Sequence, residues 1–194
     1  MLLSQDEARF PMVPTLVRAL GVKGHRLLVG TRDNKDLVYA FAAMNLHDGR
    51  LTTRLLVSEE KNRRRYGTNK TRHLQQAFAR HLRDVARAYP PTRYRRVVLT
   101  IDNAPWHAGK PIAVVLAQHP HLELYRLPSY SPQLNVVERL WKVLRRRATH
   151  NRLFDGVAQL RRALRASLGY FQTLRARILS LITSNRRRAR SLAA

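Results

Sequence analysis

VVLTIDNAPWH, residues 97–107, runs a β-branched apolar segment straight into an aspartate, in a chain that is otherwise strongly basic. Pro90-Pro91 closes whatever precedes it, and Arg95 to Ile101 then reads as a continuously apolar strand of the kind buried on both faces of a sheet. Asp102-Asn103 with Pro105 is a turn signal, so the acid stands at the carboxyl end of that strand. In open α/β sheets, functional groups collect beyond the carboxyl ends of strands.

The segments on either side support an α/β domain. Leu2 to Asp6 gives a short first strand, followed by a loop marked by Pro11 and Pro14. Residues 37–45 (LVYAFAAMN) and 50–57 (RLTTRLLV) read as two strands joined through His47-Asp48-Gly49. A basic connection, SEEKNRRRYGTNK, reads as a surface loop. From Lys70 to Tyr89, the apolar residues Leu74, Phe78, Leu82, Val85 and Tyr89 recur at helical spacing. A short helix is expected over 111–118, a strand over 122–127, and a helix from Asn135 to about Ala148 with Val137, Leu140, Trp141 and Leu144 inward. Asp155 to about Ile182 is amphipathic, as one helix or as two divided near Gly169, and a basic tail ends the chain. The expected order is β-β-β-α-β-α-β-α with extra C-terminal helices, a mixed α/β arrangement. The expected division is residues 1–150 as the main domain and 151–194 as a helical extension. That extension would serve as a dimer contact or as a lid on the sheet.

Composition narrows the partner. The 194 residues carry 37 Lys+Arg against 12 Asp+Glu, a net charge of +25, with 44% apolar residues, enough to form a core. Such a charge calls for a polyanion, and nucleic acid attracts Lys and Arg through counterion release. No apolar run approaches the roughly 20 residues of a membrane-spanning helix. The absence of cysteine excludes disulfides and thiolate metal sites. The opening MLLSQDEARF bears acid where a signal peptide bears base, so a cytoplasmic, nucleoid-associated protein is expected.

With so few acids, their placement is informative. Asp33, Asp36, Asp48, Glu59, Glu60 and Asp84 fall in turns, loops or exposed helix faces, and Asp155 at an expected helix N-cap. Asp6 ends the first strand, Asp102 ends VVLTI, and Glu138 lies about 60° from Trp141 on the helical wheel, at the edge of the buried face. Convergent carboxylates raise one another's pKa unless a cation joins them. Hard oxygen donors favour Mg²⁺ or Mn²⁺, and two such ions stabilise the attacking and leaving oxygens of a phosphodiester. Each acid also has an architectural reading: Asp6 as a turn or cap residue, Asp102 as a turn former, Glu138 with Asn135 as a capping box. Trp106 and Trp141 read as core or rim packing. The Arg145-Arg146-Arg147 run reads as phosphate contact.

Three stretches, LLSQDEARF, VVLTIDNAPWHAGK and LYRLPSYSPQLNVVERLWKVLRRR, together resemble the catalytic domain of the Asp-Asp-Glu (DDE) transposases, in the bacterial insertion-sequence branch of the mariner superfamily. Motif, order and spacing agree, with 35 residues between Asp102 and Glu138. The resemblance covers about residues 1–150 and implies a ribonuclease H-like, integrase-related fold. It implies Asp6, Asp102 and Glu138 as the catalytic, metal-binding triad for Mg²⁺ or Mn²⁺, two ions in number. Asn103, His107 and Asn135 become supporting neighbours. Arg63, Arg64, Arg65, Lys70, Arg72, Lys142, Arg145, Arg146 and Arg147 are the expected DNA contacts. The implied activity is hydrolysis at transposon ends followed by strand transfer into target DNA at TA dinucleotides, by a homodimer on DNA. The alternative is a basic DNA-binding protein without catalysis, or an inactive transposase remnant. Val136 stands where the family has proline before the helix of the third acid. The chain opens a few residues before Asp6, so the expectation is a helix-turn-helix recognition module on a separate or frameshift-fused chain.

Overall fold

The computed structural model describes residues 1–25, 28–62, 70–129, 131 and 134–182. Its centre is β2 (Leu37–Asn45), all nine residues of which are buried. This follows from its sequence, since LVYAFAAMN offers apolar side chains to both faces. The pleat sends Leu37, Tyr39, Phe41 and Ala43 into one core and Val38, Ala40, Ala42 and Met44 into the other. β1 (Leu2–Pro11) and β3 (Leu51–Ser58) flank it antiparallel. β4 (Val97–Ile101) lies parallel to β1, and β5 (Leu122–Arg126) parallel to β4. The sheet order is β3-β2-β1-β4-β5. Between β2 and β3 the turn closes on Gly49, at φ 71°, whose N–H donates to the Asn45 carbonyl at 3.0 Å.

Helices cover both faces. α1 (Lys70–Ala88) buries Leu74, Phe78, Leu82 and Val85, the stripe its spacing predicts, and packs with α2 (Lys110–Gln118) on one side. α3 (Val137–Ala148) and α4 (Val157–Thr173) lie on the other. There Leu140, Trp141, Leu144, Leu160, Leu164 and Phe171 fill the space over β1, β2 and β3, each contributing roughly 1.5–3 kcal/mol by burial. The chain leaves helical geometry at Leu174, not at Gly169, and resumes it over 175–182. That bend brings Ile178 fully into the core. The C-terminal helices therefore pack on the sheet.

Two expectations about strands change. β1 continues to Pro11, because its second half pairs with β2 as far as Pro11↔Leu37. Asp6 is therefore in mid-strand, and only the parallel partner β4 has ended beside it. β4 is buried on one face only: Val97, Leu99 and Ile101 are buried, whereas Val98 and Thr100 are half-covered, because the α3–α4 layer covers β1 to β3. Asp155 does not cap α4 with its side chain; Gly156 holds the N-cap position and Asp155 pairs with Arg32 at 3.4 Å. Among the described residues, no helix is long and apolar enough to cross a membrane.

Candidate active site

The parallel register of β1 and β4 builds the site. The ladder ends at Ser4↔Thr100, and two further residues along each strand come Asp6 and Asp102. Asp6 lies on the α3 side of β1, where the Trp141 indole N–H donates to its Oδ2 at 2.8 Å. Asp102 leaves β4 into an Asx turn, its Oδ1 accepting the Ala104 N–H at 3.0 Å. Proline at the next position starts a short 3₁₀ turn, Pro105–His107, which returns His107 toward the acid. The His107 Nδ1 lies 2.9 Å from Asp102 Oδ1.

Glu138, half-buried in the first turn of α3, completes the rim. The helix starts without the expected capping box: Val136 is its N-cap residue and has no side-chain cap bond. Asn135 is buried, and its Oδ1 accepts the Ser4 hydroxyl at 3.2 Å and the Val137 N–H at 3.3 Å, tying the helix start to β1. Asn103 donates through Nδ2 to the Leu127 carbonyl at 2.9 Å, holding the loop after β5. Asp6, Asp102, Asn103, Asn135 and Glu138 all line one cleft of about 320 Å³, closed by Leu127, Pro128, Ser129 and Ser131.

The charges in the cleft are unequal. Burial first, then the charges of Glu7 and Asp102, push the Asp6 carboxyl from 3.8 up to about 7, against the Trp141 bond. The His107 hydrogen bond holds Asp102 below the usual carboxylate range. For His107 itself, burial pulls downward, but the bonds and charges of Asp102 and Glu7 outweigh it and raise it to about 9.

Sequence reasoning missed Glu7. It points to the α1 side of β1, opposite Asp6, with 7% of its side chain exposed. It accepts the Trp106 indole N–H, and its Oε2 lies 3.1 Å from His107 Nε2. Donor atoms of Glu7, Asp102 and His107 lie within 4.8 Å of one another. These atoms are engaged with one another, the His107 ring standing between the two carboxyl groups. The signal available was alternation: in a strand buried on both sides, a carboxylate next to Asp6 must find a partner on the other face. Trp106 and Trp141 pack as expected, and each indole also holds an acid.

The basic residues divide. Lys142, Arg146 and Arg147 are exposed along α3, with Arg147 stacked 3.7 Å from the Tyr170 ring centroid. Arg145 is half-buried over Phe10 and donates to the Arg9 carbonyl at 3.5 Å. Lys70 lies 5.8 Å from the Trp106 ring centroid, on the Glu7 side of the sheet. Arg72 lines a separate groove between α1 and Lys110. Arg63, Arg64, Arg65 and the basic tail lie outside the described residues.

A family model described as DDE superfamily endonuclease matches residues 1–161. Similar solved structures include the Mos1 transposase paired-end complex with left transposon end, with a TM-score of 0.59 and 17% identity, covering 92% of this chain and 52% of that one. The Mos1 mariner paired-end complex with Mn matches at a TM-score of 0.60 and 18% identity, covering 93% and 53%. The catalytic domain of the Mos1 mariner transposase matches at 0.57 and 15%, covering 93% and 78%. The chain thus spans about half the length of the paired-end transposases. These likenesses are of fold, and the fold is the expected ribonuclease H-like one. No curated protein matches the chain in sequence.

Proposed function

The chain belongs to the DDE superfamily of endonucleases, and on that premise we propose that it is a transposase catalytic domain which cleaves DNA strands and transfers them during transposition of an insertion sequence. The observation that carries this reading is that Asp6, Asp102 and Glu138, from a strand, a strand end and a helix, line one cleft of a chain with net charge +25. Their donors are hard oxygens and suit Mg²⁺ or Mn²⁺. Burial first, then the charges of Glu7 and Asp102, raise the Asp6 carboxyl to about 7, and a cation bound beside it would favour its ionised form. The three acids would hold the ions, two in number on this reading; bound there, they would supply charge neutralisation for attack on a phosphodiester.

The protein's own groups divide the remaining work. Trp141 fixes Asp6, His107 fixes Asp102, and Asn135 fixes the start of the helix bearing Glu138. Lys142 and Arg146 extend from Glu138 along α3 and would hold DNA phosphates, so that positioning and electrostatics supply most of the rate. The partners on this reading are transposon ends and target DNA, bridged by a homodimer.

The test is nicking of supercoiled plasmid with Mg²⁺ or Mn²⁺, beside metal-free and Asp102→Asn controls. Metal-dependent nicking that disappears in the variant is expected. Tight, salt-sensitive binding with no nicking would instead support a binding protein.

A further inference from the structure

β1 presents two neighbouring acids to opposite faces of the sheet, and only Asp6 lines the cleft. Glu7 is nonetheless the more enclosed of two carboxylates facing His107: 7% of its side chain is exposed, against 50% for Asp102. A buried carboxylate is costly unless its oxygens are matched. Here the Trp106 indole N–H bonds Oε1, while His107 Nε2 lies 3.1 Å from Oε2 and Gln5 Nε2 donates to Oε2 at 3.3 Å. His107 is enclosed in turn, at 1% side-chain exposure, with its ring against Phe78 at 4.4 Å between centroids. Its other nitrogen faces Asp102 Oδ1 at 2.9 Å. A ring facing a carboxyl oxygen at each nitrogen is fixed in orientation. Asp102 Oδ1 is thus committed to His107 and the Ala104 N–H, and the half-exposed carboxylate keeps its second oxygen for the cleft.

We propose that Glu7 is a positioning residue for this site: with Trp106 it fixes the His107 ring, and His107 fixes the Asp102 carboxylate. The role rests on the metal-binding reading of Asp6, Asp102 and Glu138. It makes β1 carry a ligand on one face and the support of a second ligand on the other. Bonding partners behind metal ligands typically set affinity by 10- to 100-fold.

The test is Mn²⁺ binding to the whole chain without DNA, followed by the electron paramagnetic resonance of free Mn²⁺, for the native protein, Glu7→Gln, Trp106→Phe and Asp102→Asn. Glu7→Gln is expected to weaken Mn²⁺ binding by roughly 10- to 100-fold, with a smaller loss for Trp106→Phe. Plasmid nicking by Glu7→Gln should reach the native plateau at a correspondingly higher Mn²⁺ concentration, because Glu7 touches no substrate. A purely structural role would lower thermal stability and leave the affinity of the folded protein unchanged. Native affinity in Glu7→Gln and Trp106→Phe, with binding lost in Asp102→Asn, would overturn the role of Glu7 alone. If Glu7→Gln does not fold, Trp106→Phe decides. Nicking lost at every Mn²⁺ concentration would make Glu7 a ligand and likewise overturn the role. Native binding no tighter than that of Asp102→Asn would overturn the metal reading, and this role with it.

Discussion

Replacing Asp6 by asparagine should stabilise the metal-free protein while abolishing its response to metal. The unfolded chain loses the Asp6 proton near 3.8, whereas the folded chain holds it to about 7, chiefly because the group is buried and secondly because Glu7 is charged. A raised folded pKa favours folding below 3.8, and this contribution is lost as the pH climbs through 7. At about 1.4 kcal/mol per pH unit, ionising Asp6 in the folded, metal-free protein costs about 4 kcal/mol at pH 8. Asparagine keeps the shape and an oxygen for the Trp141 N–H, so the variant should recover roughly 2–4 kcal/mol of this. For a domain of this size each kcal/mol shifts Tm by about 2–4 °C, so the gain is roughly 4–16 °C. The assay is thermal unfolding at pH 8 and pH 4, each with chelator and with Mg²⁺. The gain should shrink at pH 4, and Mg²⁺ should raise Tm for the native chain but not for Asp6→Asn. Equal Tm values at pH 8 in chelator, or a variant less stable at both pH values, would show that ionised Asp6 does not destabilise the metal-free fold.

Other expected outcomes concern the scaffold and the DNA contacts. His81 is buried, with both ring nitrogens lacking partners among the described residues, and burial first, then the Arg54 and His107 charges, lower it from 6.5 to about 4 against the pull of Asp84. Stability should therefore fall as the pH drops below 6.5 and level off below about 4, losing on the order of 3 kcal/mol, and His81→Leu should flatten that limb in urea titrations. Gly49→Ala meets two obstacles, a φ of 71° and a Cβ 2.7 Å from the Arg175 carbonyl oxygen. It should cost about 2 kcal/mol or more in urea unfolding. Arg146→Ala should lower the slope of log K for DNA against log salt by about 0.9 without changing Tm. Arg145→Ala should also lose stability, because that side chain covers Phe10.

The sequence carried the fold wherever burial was symmetric or periodic. LVYAFAAMN is apolar at every position but its last, Asn45, and the strand occupies those nine residues; the α1 stripe was equally plain. The extent of β1 was hidden because Pro11 reads as a loop residue, while the pairing that carries the strand past Asp6 belongs to β2, thirty residues away. β4 looked buried on both faces because VVLTI has no polar residue beyond threonine; the open face exists because the α3–α4 layer covers β1 to β3. The bend at Leu174 has no local marker, since Gly169 is helical and Leu174 is an ordinary helix former; the destination of Ile178 in the core accounts for it. In the site, the spacing of Asp102 and Glu138 and the strand order drew Asp6, Asp102 and Glu138 to one rim. Glu7 escaped notice because the first strand reads as ending at Asp6, so alternation across the sheet does not reach it; its partners are about a hundred residues away in Trp106 and His107.

On the proposed function, Asp6, Asp102 and Glu138 form one metal-binding site. Anomalous diffraction from crystals grown with Mn²⁺ tests it most directly. Mn²⁺ is expected in the cleft, bonded to oxygens of Asp6, Asp102 and Glu138, with His107 still bonded to Glu7. Mn²⁺ seated among Glu7, Asp102 and His107, or no Mn²⁺ in the cleft at saturating concentration, would contradict it.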